Sequence, residues 1–252
     1  MKKRVYFTLL VALILMIGVC GCTMNHNEKP SNSTVTLTER QVAILEQYGL
    51  PVNYEELTTT QQEAIVTIEE MLCYVEEKYN QKFAYAGYTP NGLIESEHMR
   101  AYPVSGNEET DTFTISKSEN GFVDDYINIA VNPRLCDYVL SSAQRLVPDT
   151  QIKIYAEVTE TSLTDPSANE NAFDGTTEAI LWIFLDGATF DEAKLEEFVS
   201  AFNAWMTDHK LYGAVQIVLL KENTIAYLTK YNYTNYLSET HYICRENIYI
   251  NK

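Results

Sequence analysis

The sequence predicts an α+β fold in which amphipathic helices pack on a largely antiparallel sheet. Along several segments apolar residues recur at intervals of three and four, which is the period of a helix with one buried face. In other segments they recur at every second residue, as in a strand with one buried face. The repeated βαβ units that build a parallel sheet are missing, and this favours α+β over α/β.

Two helices are predicted at the start of the folded chain. Thr38 and Gln41 have the spacing of a capping box, and Gly49 followed by Pro51 ends the short helix that begins there. A longer helix is predicted over residues 60–79. Its apolar stripe consists of Ile65, Ile68, Leu72, Val75 and Tyr79. Its other faces carry glutamates that we expect to be solvated, namely Glu69, Glu70, Glu76 and Glu77.

The segments that follow are predicted to form an antiparallel meander. Strands are expected at residues 83–88, 98–104, 112–116 and 122–131. Asn120-Gly121 lies between the last two, and this dipeptide favours a tight hairpin turn because it tolerates positive φ angles. We therefore expect a helix followed by a meander as the N-terminal unit.

Two more helices are predicted in the second half of the chain. Asn132 is expected to cap a helix that has Pro133 at its first position and Leu146 at the end of its buried stripe. Thr189 and Glu192 have capping-box spacing before a helix whose apolar stripe continues to His209.

Strands separate and follow these helices. A strand with one wet face is expected at residues 152–158, and a polar loop at 161–176. Residues 179–185 read AILWIFL, so they predict a central strand that is covered on both faces. The remaining strands are expected at residues 214–220, 224–231 and 241–250.

The order of these elements is compatible with two topologies. Residues 122–220 have the order β-α-β-β-α-β of a ferredoxin-like unit, although order alone does not fix topology. The alternative is two α-β-β-β subdomains that start at Thr60 and Phe190. A subdivision of the chain is then expected near residues 118–132.

The first twenty-two residues predict where the protein is located. A cationic head, Lys2 to Arg4, precedes an uncharged apolar run at residues 5–19, as in a secretory signal. Val19-Cys20-Gly21-Cys22 resembles the bacterial lipobox. That resemblance implies that residues 1–21 are a signal peptide and that Cys22 is lipidated, with palmitate-type acyl chains holding the protein at the extracytoplasmic face of the cell membrane. Residues 22–37 are polar and are expected to form a flexible tether to the exported domain at residues 38–252.

The charge of the chain excludes one class of partner. Removal of the signal peptide takes away three positive charges, so the formal charge falls from −17 to −20. Nucleic-acid phosphates and anionic headgroups would repel such a surface, so the lipid must supply the membrane attachment. The expected partners are an envelope protein or a glycan, and not nucleic acid.

No sequence motif identifies a catalytic or cofactor site. The G-x-S-x-G elbow, the P-loop and the Rossmann fingerprint are all missing, and no cofactor is predicted. Three weaker candidates remain: His98 beside Glu97 as a general base, the pair His241 and Cys244 as zinc ligands, and an oxygen-rich loop as a calcium site. That loop carries Asp165, Asn169, Asn171 and Asp174. The loop lacks the spacing of an EF-hand. His241 and Cys244 are spaced like a metal-ligand pair, but the sequence offers no second pair, and residues three apart on a strand point to opposite faces. No metal and no catalytic residue is therefore assigned.

The number of cysteines in the expected exported domain allows two pairing states. Cys73, Cys136 and Cys244 are an odd set, which allows either one disulfide with a spare thiol or three reduced thiols. Because Cys73 and Cys136 fall beside apolar helix stripes, we favour three structural cysteines.

Tyrosine is the most informative surface residue in this chain. Tyr227, Tyr231 and Tyr233 share parity along the predicted strand at residues 224–231 and its extension, so their rings are expected on one face. A rigid ring with a polar tip suits recognition of sugars, peptides or proteins. Ordinary packing of these rings over the sheet is the alternative.

Three body segments carry a further resemblance. LTERQVAILEQYGLP, YEELTTTQQEAIVTIEEMLCYVEEKY and FAYAGYTP look like segments of uncharacterised Gram-positive surface lipoproteins. This resemblance supports an exported lipoprotein and implies no activity. The expected function is therefore a non-enzymatic module that binds a ligand or a protein outside the membrane, and the alternative is an envelope hydrolase with a dispersed active site.

Overall fold

A computed structural model describes residues 35–93 and 95–252 of the chain. The proposed signal peptide, the lipidated Cys22 and most of the proposed tether lie outside the described residues. Within the described ranges the α+β prediction is confirmed, because helices pack on two separate four-stranded sheets. Five of the six strand pairings are antiparallel, as expected.

The chain folds into five α-helices and eight strands over its described part. The helices are α1 (Glu39–Gln47), α2 (Thr59–Tyr79), α3 (Tyr126–Ala130), α4 (Asn132–Leu146) and α5 (Leu195–Asp208). The first sheet contains β1 (Phe83–Thr89), β2 (His98–Pro103), β3 (Phe113–Ser118) and β4 (Gly121–Asp124). The second contains β5 (Ile152–Thr161), β6 (Thr177–Asp186), β7 (Tyr212–Leu220) and β8 (Tyr242–Ile250).

The first sheet is the predicted meander, with the order β1-β2-β3-β4. Capping boxes start both α1 and α2, because Thr38 accepts from the amide of Gln41 and Thr58 accepts from that of Gln61. The two helices bury their apolar stripes against one face of this sheet. The most buried members of that core are Met71, Leu72, Val75, Met99, Ala101 and Ile115.

An ion-pair network joins α1 to α2 and corrects one expectation. Arg40 makes two hydrogen bonds of 2.8 and 2.9 Å to the carboxylate of Glu69, and a third of 2.8 Å to Glu76. Burial lowers the pKa of Arg40, but these carboxylates outweigh it, so the net pKa is raised. Glu69 and Glu76 are therefore paired with a cation and are not simply solvated.

The second sheet is mixed and has the order β5-β6-β7-β8. β5 pairs antiparallel with β6, and β8 pairs antiparallel with β7. β6 and β7 lie in the centre and run parallel to each other, because α5 crosses between them. AILWIFL is thus part of a central strand, as predicted.

Both faces of the second sheet bury apolar side chains. We call the face that α4 and α5 cover the inner face, and it carries Leu181, Ile183, Val215 and Ile217 of the central strands. We call the opposite face the outer face. Phe184, Val218 and Leu220 on that face are buried by the segment at residues 221–241, which forms short 3-10 turns. That segment contributes Ile225 and Leu228, and Lys153 holds it by donating to the carbonyl of Leu228 over 2.7 Å.

The ferredoxin-like arrangement of residues 122–220 is not formed. The strand expected at 122–131 ends at Asp124 and pairs with β3 in the first sheet, so it cannot join β5 and β6. The chain instead enters α3, a short helix between the two cores. Tyr126 packs in the first core, while Ile127 packs against the second. The alternative of two α-β-β-β stretches describes the first half better than the second, where only β7 and β8 follow α5.

Several local predictions are also corrected. Residues 224–231 form no strand, and the turns at Ile225–Tyr227 and Tyr233–Leu237 take that place. Asn132 does not cap α4; its side-chain oxygen accepts from the amide of Val158 on β5. Thr189 likewise accepts from the amide of Gln151 and forms no capping box. Leu146 at the end of α4 is exposed.

Within the described ranges no helix is both long enough and apolar enough to cross a bilayer.

Gly213 of β7 should be far less tolerant of a side chain than Gly121, although the two have φ angles of +119° and +121°. A Cβ on Gly213 would lie 2.0 Å from the carbonyl oxygen of Ala179 in β6, whereas a Cβ on Gly121 would meet nothing within 4 Å. Both alanine variants should lose about 1–3 kcal/mol through backbone strain. We expect Gly213→Ala to lose at least about 1–3 kcal/mol more, because its Cβ overlaps the neighbouring strand. Urea unfolding of both variants measures the difference, and equal losses would contradict the close approach of β6 and β7.

Candidate functional site

The outer face of the second sheet is only half covered, and the uncovered half contains a groove. We call the groove lined by Thr159, Glu178, Ile180, Ala214, Tyr249 and Lys252 the outer-face groove. It has a volume of about 420 Å³. The segment at residues 221–241 covers Phe184, Val218 and Leu220 at one end of β6 and β7, and the groove lies toward the other end. This volume lies within the range of small-molecule and peptide-side-chain sites.

The groove exists because small residues occupy the middle of the sheet. A continuous row of paired residues crosses all four strands, from Glu157 through Ile180 and Ala214 to Tyr249. Ala214 and the adjacent Gly213 of β7 leave the floor low. Ile180 stands on one side, and Tyr249 stands on the other with 72% of its surface exposed. A low floor between two apolar walls can hold a narrow apolar group.

Charged side chains gather at one end of the groove. The ammonium of Lys252 lies 2.9 Å from the carboxylate of Glu160 and 3.4 Å from that of Glu178. The nearby carboxylates, Glu160 first and then Glu178, raise the pKa of Lys252. All three side chains are well exposed, so these ion pairs contribute little to stability and can exchange partners.

Aromatic side chains separate the groove from the covered half of the face. Tyr155 and Tyr233 stack in parallel at 4.6 Å, and Trp182 lies 5.1 Å from the ring of Tyr233. Burial raises the pKa of Tyr155 to about 12. Beside them Gln216 donates to Asn247 over 3.2 Å, and its Oε1 is buried without a hydrogen-bond partner in the described structure. The groove therefore adjoins both aromatic rings and amide groups.

The three tyrosines singled out in the sequence do not share a strand face. Tyr233 stacks against Tyr155 and is part of the cover over the sheet. Tyr227 and Tyr231 lie in the turns, with 69% and 57% of their surfaces exposed. The ammonium of Lys230 lies 4.8 Å from the ring of Tyr231 and also pairs with Asp111, across to the first half of the chain. Packing accounts for Tyr233, and a shared recognition face is not formed.

A second group of polar side chains meets where the middle of α4, the C-terminal end of α5 and the loop at Asp174 come together. The hydroxyl of Tyr138 lies 2.7 Å from Oδ1 of Asp174 and 2.8 Å from Nδ1 of His209. The same Nδ1 lies 3.0 Å from Oδ2 of Asp174. The ring of Trp205 packs on His209 with its centroid 5.0 Å away. The sequence predicts a surface loop at Asp174 and a helix stripe that reaches His209, and no pattern in it predicts their contact.

The hydrogen bonds of this cluster indicate which nitrogen of His209 carries a proton. Tyr138 has one hydroxyl proton and donates it to Asp174, so Nδ1 of His209 must carry the proton that it shares with Asp174 and with the oxygen of Tyr138. In the neutral imidazole Nε2 is then the unprotonated nitrogen. Burial and the Asp174 carboxylate raise the pKa of Tyr138, so this tyrosine remains neutral. The cluster thus has a polarised histidine but no activated tyrosinate.

The other candidate residues are placed apart from one another. The ring of His98 contacts the carbonyl of Ser96, at 2.9 Å, while Glu97 pairs with Tyr88 and Lys117. His241 packs on the ring of Tyr236 and makes no contact with Cys244 in the described structure. Among the described residues no group of three or more His, Cys, Asp or Glu side chains has the geometry to hold a metal.

None of the three cysteines in the described part of the chain is in a disulfide. Cys136 and Cys244 pack beside the second core, as expected for small apolar residues. Burial raises the pKa of Cys136 to about 12, so this thiol is unreactive at neutral pH. Cys73 instead lies beside a cation, with its sulfur 3.6 Å from Arg40.

Comparisons of the chain with family models, with curated proteins and with solved structures gave no match.

Replacing Tyr138 by phenylalanine should destabilise the protein by about 1–2 kcal/mol, because two hydrogen bonds between partly exposed partners are lost. Tyr212→Phe is the matched control, since no hydrogen bond of the Tyr212 hydroxyl occurs in the described structure. The pKa of Tyr138 is raised on folding, so its contribution is complete below the unfolded value of about 10 and is lost as the pH rises above it. Urea unfolding at pH 7 and pH 11 should show the gap between wild type and variant narrowing, and a gap that widens would contradict this sign.

Proposed function

We propose that the protein is a lipid-anchored, extracytoplasmic binding module that takes its ligand or protein partner in the outer-face groove. The observation that carries this proposal is the half-covered outer face of the second sheet. Central strands β6 and β7 are buried at one end by residues 221–241, and at the other end they present a groove with an exposed tyrosine and a set of charges. A face with apolar walls and a few polar groups is typical of a recognition site.

An exposed aromatic side chain also supports a partner at this face. Tyr249 lines the groove from the edge strand β8 and exposes 72% of its surface. Tyrosine is among the residues that contribute most to binding when buried by a partner. The net charge of −17 makes nucleic acid an unsuitable partner, as the sequence already indicated.

The membrane part of the proposal rests on the leader. Its support is the order of a cationic head, an apolar run and Val19-Cys20-Gly21-Cys22. Two or three acyl chains on one residue meet the requirement for stable anchoring. The site would then face outward on a short tether.

An envelope hydrolase remains the second candidate function, and the pair Asp174–His209 is the observation that favours it. A carboxylate on Nδ1 leaves Nε2 as a base, which is the arrangement that activates a nucleophile in many hydrolases. The third member of the cluster is a tyrosine whose pKa is raised. Within the described chain the hydrogen bonds and ring contacts of the His209 side chain are to Tyr138, Asp174 and Trp205, and none is to a serine or cysteine that it could activate. The binding function therefore has the stronger support.

Filling the groove should abolish binding without affecting stability. Ala214→Trp places an indole on the groove floor, where open space surrounds the existing methyl group. We expect peptide and glycan arrays probed with wild-type protein to give signals that are lost with Ala214→Trp and reduced with Tyr249→Ala. Both variants should keep the wild-type melting temperature, because the groove is not part of a core cluster.

The matched control for that experiment is Tyr227→Ala/Tyr231→Ala, which removes two exposed tyrosines from the turns. It should leave the array signals unchanged. Signals that survive Ala214→Trp but vanish in the double tyrosine variant would move the site to the turns and overturn the proposal. Signals lost only with His209→Ala, together with ester hydrolysis, would favour the hydrolase.

Lipidation should depend on Cys22 alone among the cysteines. Cells fed an alkyne-labelled fatty acid should incorporate label into the wild-type protein and into a Cys73→Ser variant, but not into Cys22→Ser. The Cys22→Ser protein should also leave the membrane fraction. Label that persists in Cys22→Ser would contradict the lipoprotein proposal.

A further inference from the structure

We propose that the outer-face groove binds a cationic side chain of a peptide partner, a lysine or arginine, and that Lys252 occupies the same position when the partner is absent. This inference rests on the proposed function and names the chemical class of its ligand. The place in question is the end of the groove where Glu160 and Glu178 stand on neighbouring strands. The structure already contains a cation there, supplied by the chain itself.

The carboxylates at this end of the groove favour a positively charged ligand. Glu160 and Glu178 are paired across β5 and β6, and Glu157 lies directly beside Ile180 in the adjoining row. Lys252 is the only cation among the residues that line the groove. The two carboxylates of Glu160 and Glu178 share the single ammonium of Lys252, so an excess of negative charge remains, which favours a second cation and disfavours an anionic or strongly acidic ligand.

The shape of the groove suits the rest of such a side chain. A lysine or arginine has an apolar stem of three or four methylene groups that carries the charged end. The floor at Ala214 and the walls at Ile180 and Tyr249 can cover this stem while the charged end lies between the carboxylates. The exposed ring of Tyr249 can also receive a cation on its face. A neutral sugar would gain contact with the ring but would leave the carboxylates without a counter-charge.

Lys252 would compete with a cationic ligand for the carboxylates of Glu160 and Glu178. Its ammonium forms two exposed ion pairs, at 2.9 and 3.4 Å, and exposed pairs of this kind exchange readily. A partner's lysine can therefore replace Lys252 and form the same two contacts. Removal of Lys252 should strengthen binding of a cationic ligand, whereas a lysine that merely stabilised the fold would have no such effect.

The test uses full-length protein in uncharged detergent micelles and a fluorescein-labelled peptide, acetyl-Lys-Ala-Lys-Ala-Lys amide. Fluorescence anisotropy should show binding that weakens with salt, as expected for exposed charges. Glu160→Gln/Glu178→Gln should weaken the affinity by about fivefold or more, since each exposed ion pair contributes up to about fivefold. Lys252→Ala should tighten it by about two- to fivefold for the same reason.

Matched controls separate the groove from the overall charge. Glu222→Gln/Glu239→Gln changes the net charge equally, but both glutamates are exposed in the 221–241 segment and away from the groove lining. Lys194→Ala likewise matches Lys252→Ala. Both controls should bind like wild type. Equal effects in the control and groove variants would overturn the inference, because the peptide would then respond only to net charge.

Two further outcomes distinguish this inference from the function on which it rests. The matching peptides with glutamine or glutamate in place of lysine should bind at least about fivefold more weakly, by the same ion-pair estimate. If the glutamine peptide or a neutral oligosaccharide binds better and Ala214→Trp abolishes that binding, the groove is a binding site but the cationic class is wrong. If no probe binds in a manner that Ala214→Trp abolishes, both the groove and its ligand class are refuted.

Discussion

The second half of the structure depends on the burial of both faces of the central strands β6 and β7. Leu181, Ile183 and Ile217 are fully buried on the inner face, and Phe184 and Val218 are fully buried on the outer face. A parallel pair of strands requires a crossover, and α5 supplies it on the inner face together with α4. The outer face must therefore be covered by some other part of the chain, because exposing these side chains to water would cost about 25 cal/mol for each Å² of apolar surface.

The cover on the outer face is a short irregular segment. Residues 221–241 leave β7, cross its end of the sheet and return as β8. Ile225 and Leu228 pack onto Phe184 and Val218, and Lys153 fixes the segment through the carbonyl of Leu228. A connection of this length covers one end of the sheet only. The groove is present at the other end because the segment does not reach it. The small residues Gly213 and Ala214 form its floor and leave it open.

Periodicity in the sequence was sufficient to predict elements whose buried side chains repeat. The helix α2, the meander and the central strand β6 were found because burial follows a period of 3.6 or 2, or continues on both faces. The cover segment was mispredicted because its alternation resembles a strand. Its buried residues Ile225 and Leu228 are three apart, which suits a turn.

The candidate sites could be predicted to a smaller extent than the fold. Asp174 and His209 are 35 residues apart, and only the packing of α4 against α5 brings them to Tyr138. Asp174 lies in an irregular loop, where sequence patterns carry little information on position. The groove has no motif either, since it is formed by a row of side chains from four strands and by the short reach of the cover. Alternation in β7 and β8 does place Ala214 and Tyr249 on the face opposite the helices. That these two residues lie side by side follows only from the register between the strands, which the sequence does not give.

The most direct test of this account is to map binding onto the backbone of ¹⁵N-labelled protein that spans residues 35–252, a range that contains all three hydrophobic clusters. Amide chemical shifts would be followed during titration with the lysine peptide. We expect the largest shifts in three stretches that line the groove, at residues 178–180, 213–214 and 249–252. Shifts concentrated at the turns around Tyr227 and Tyr231, or at Asp174 and His209, would contradict the assignment of the groove as the binding site.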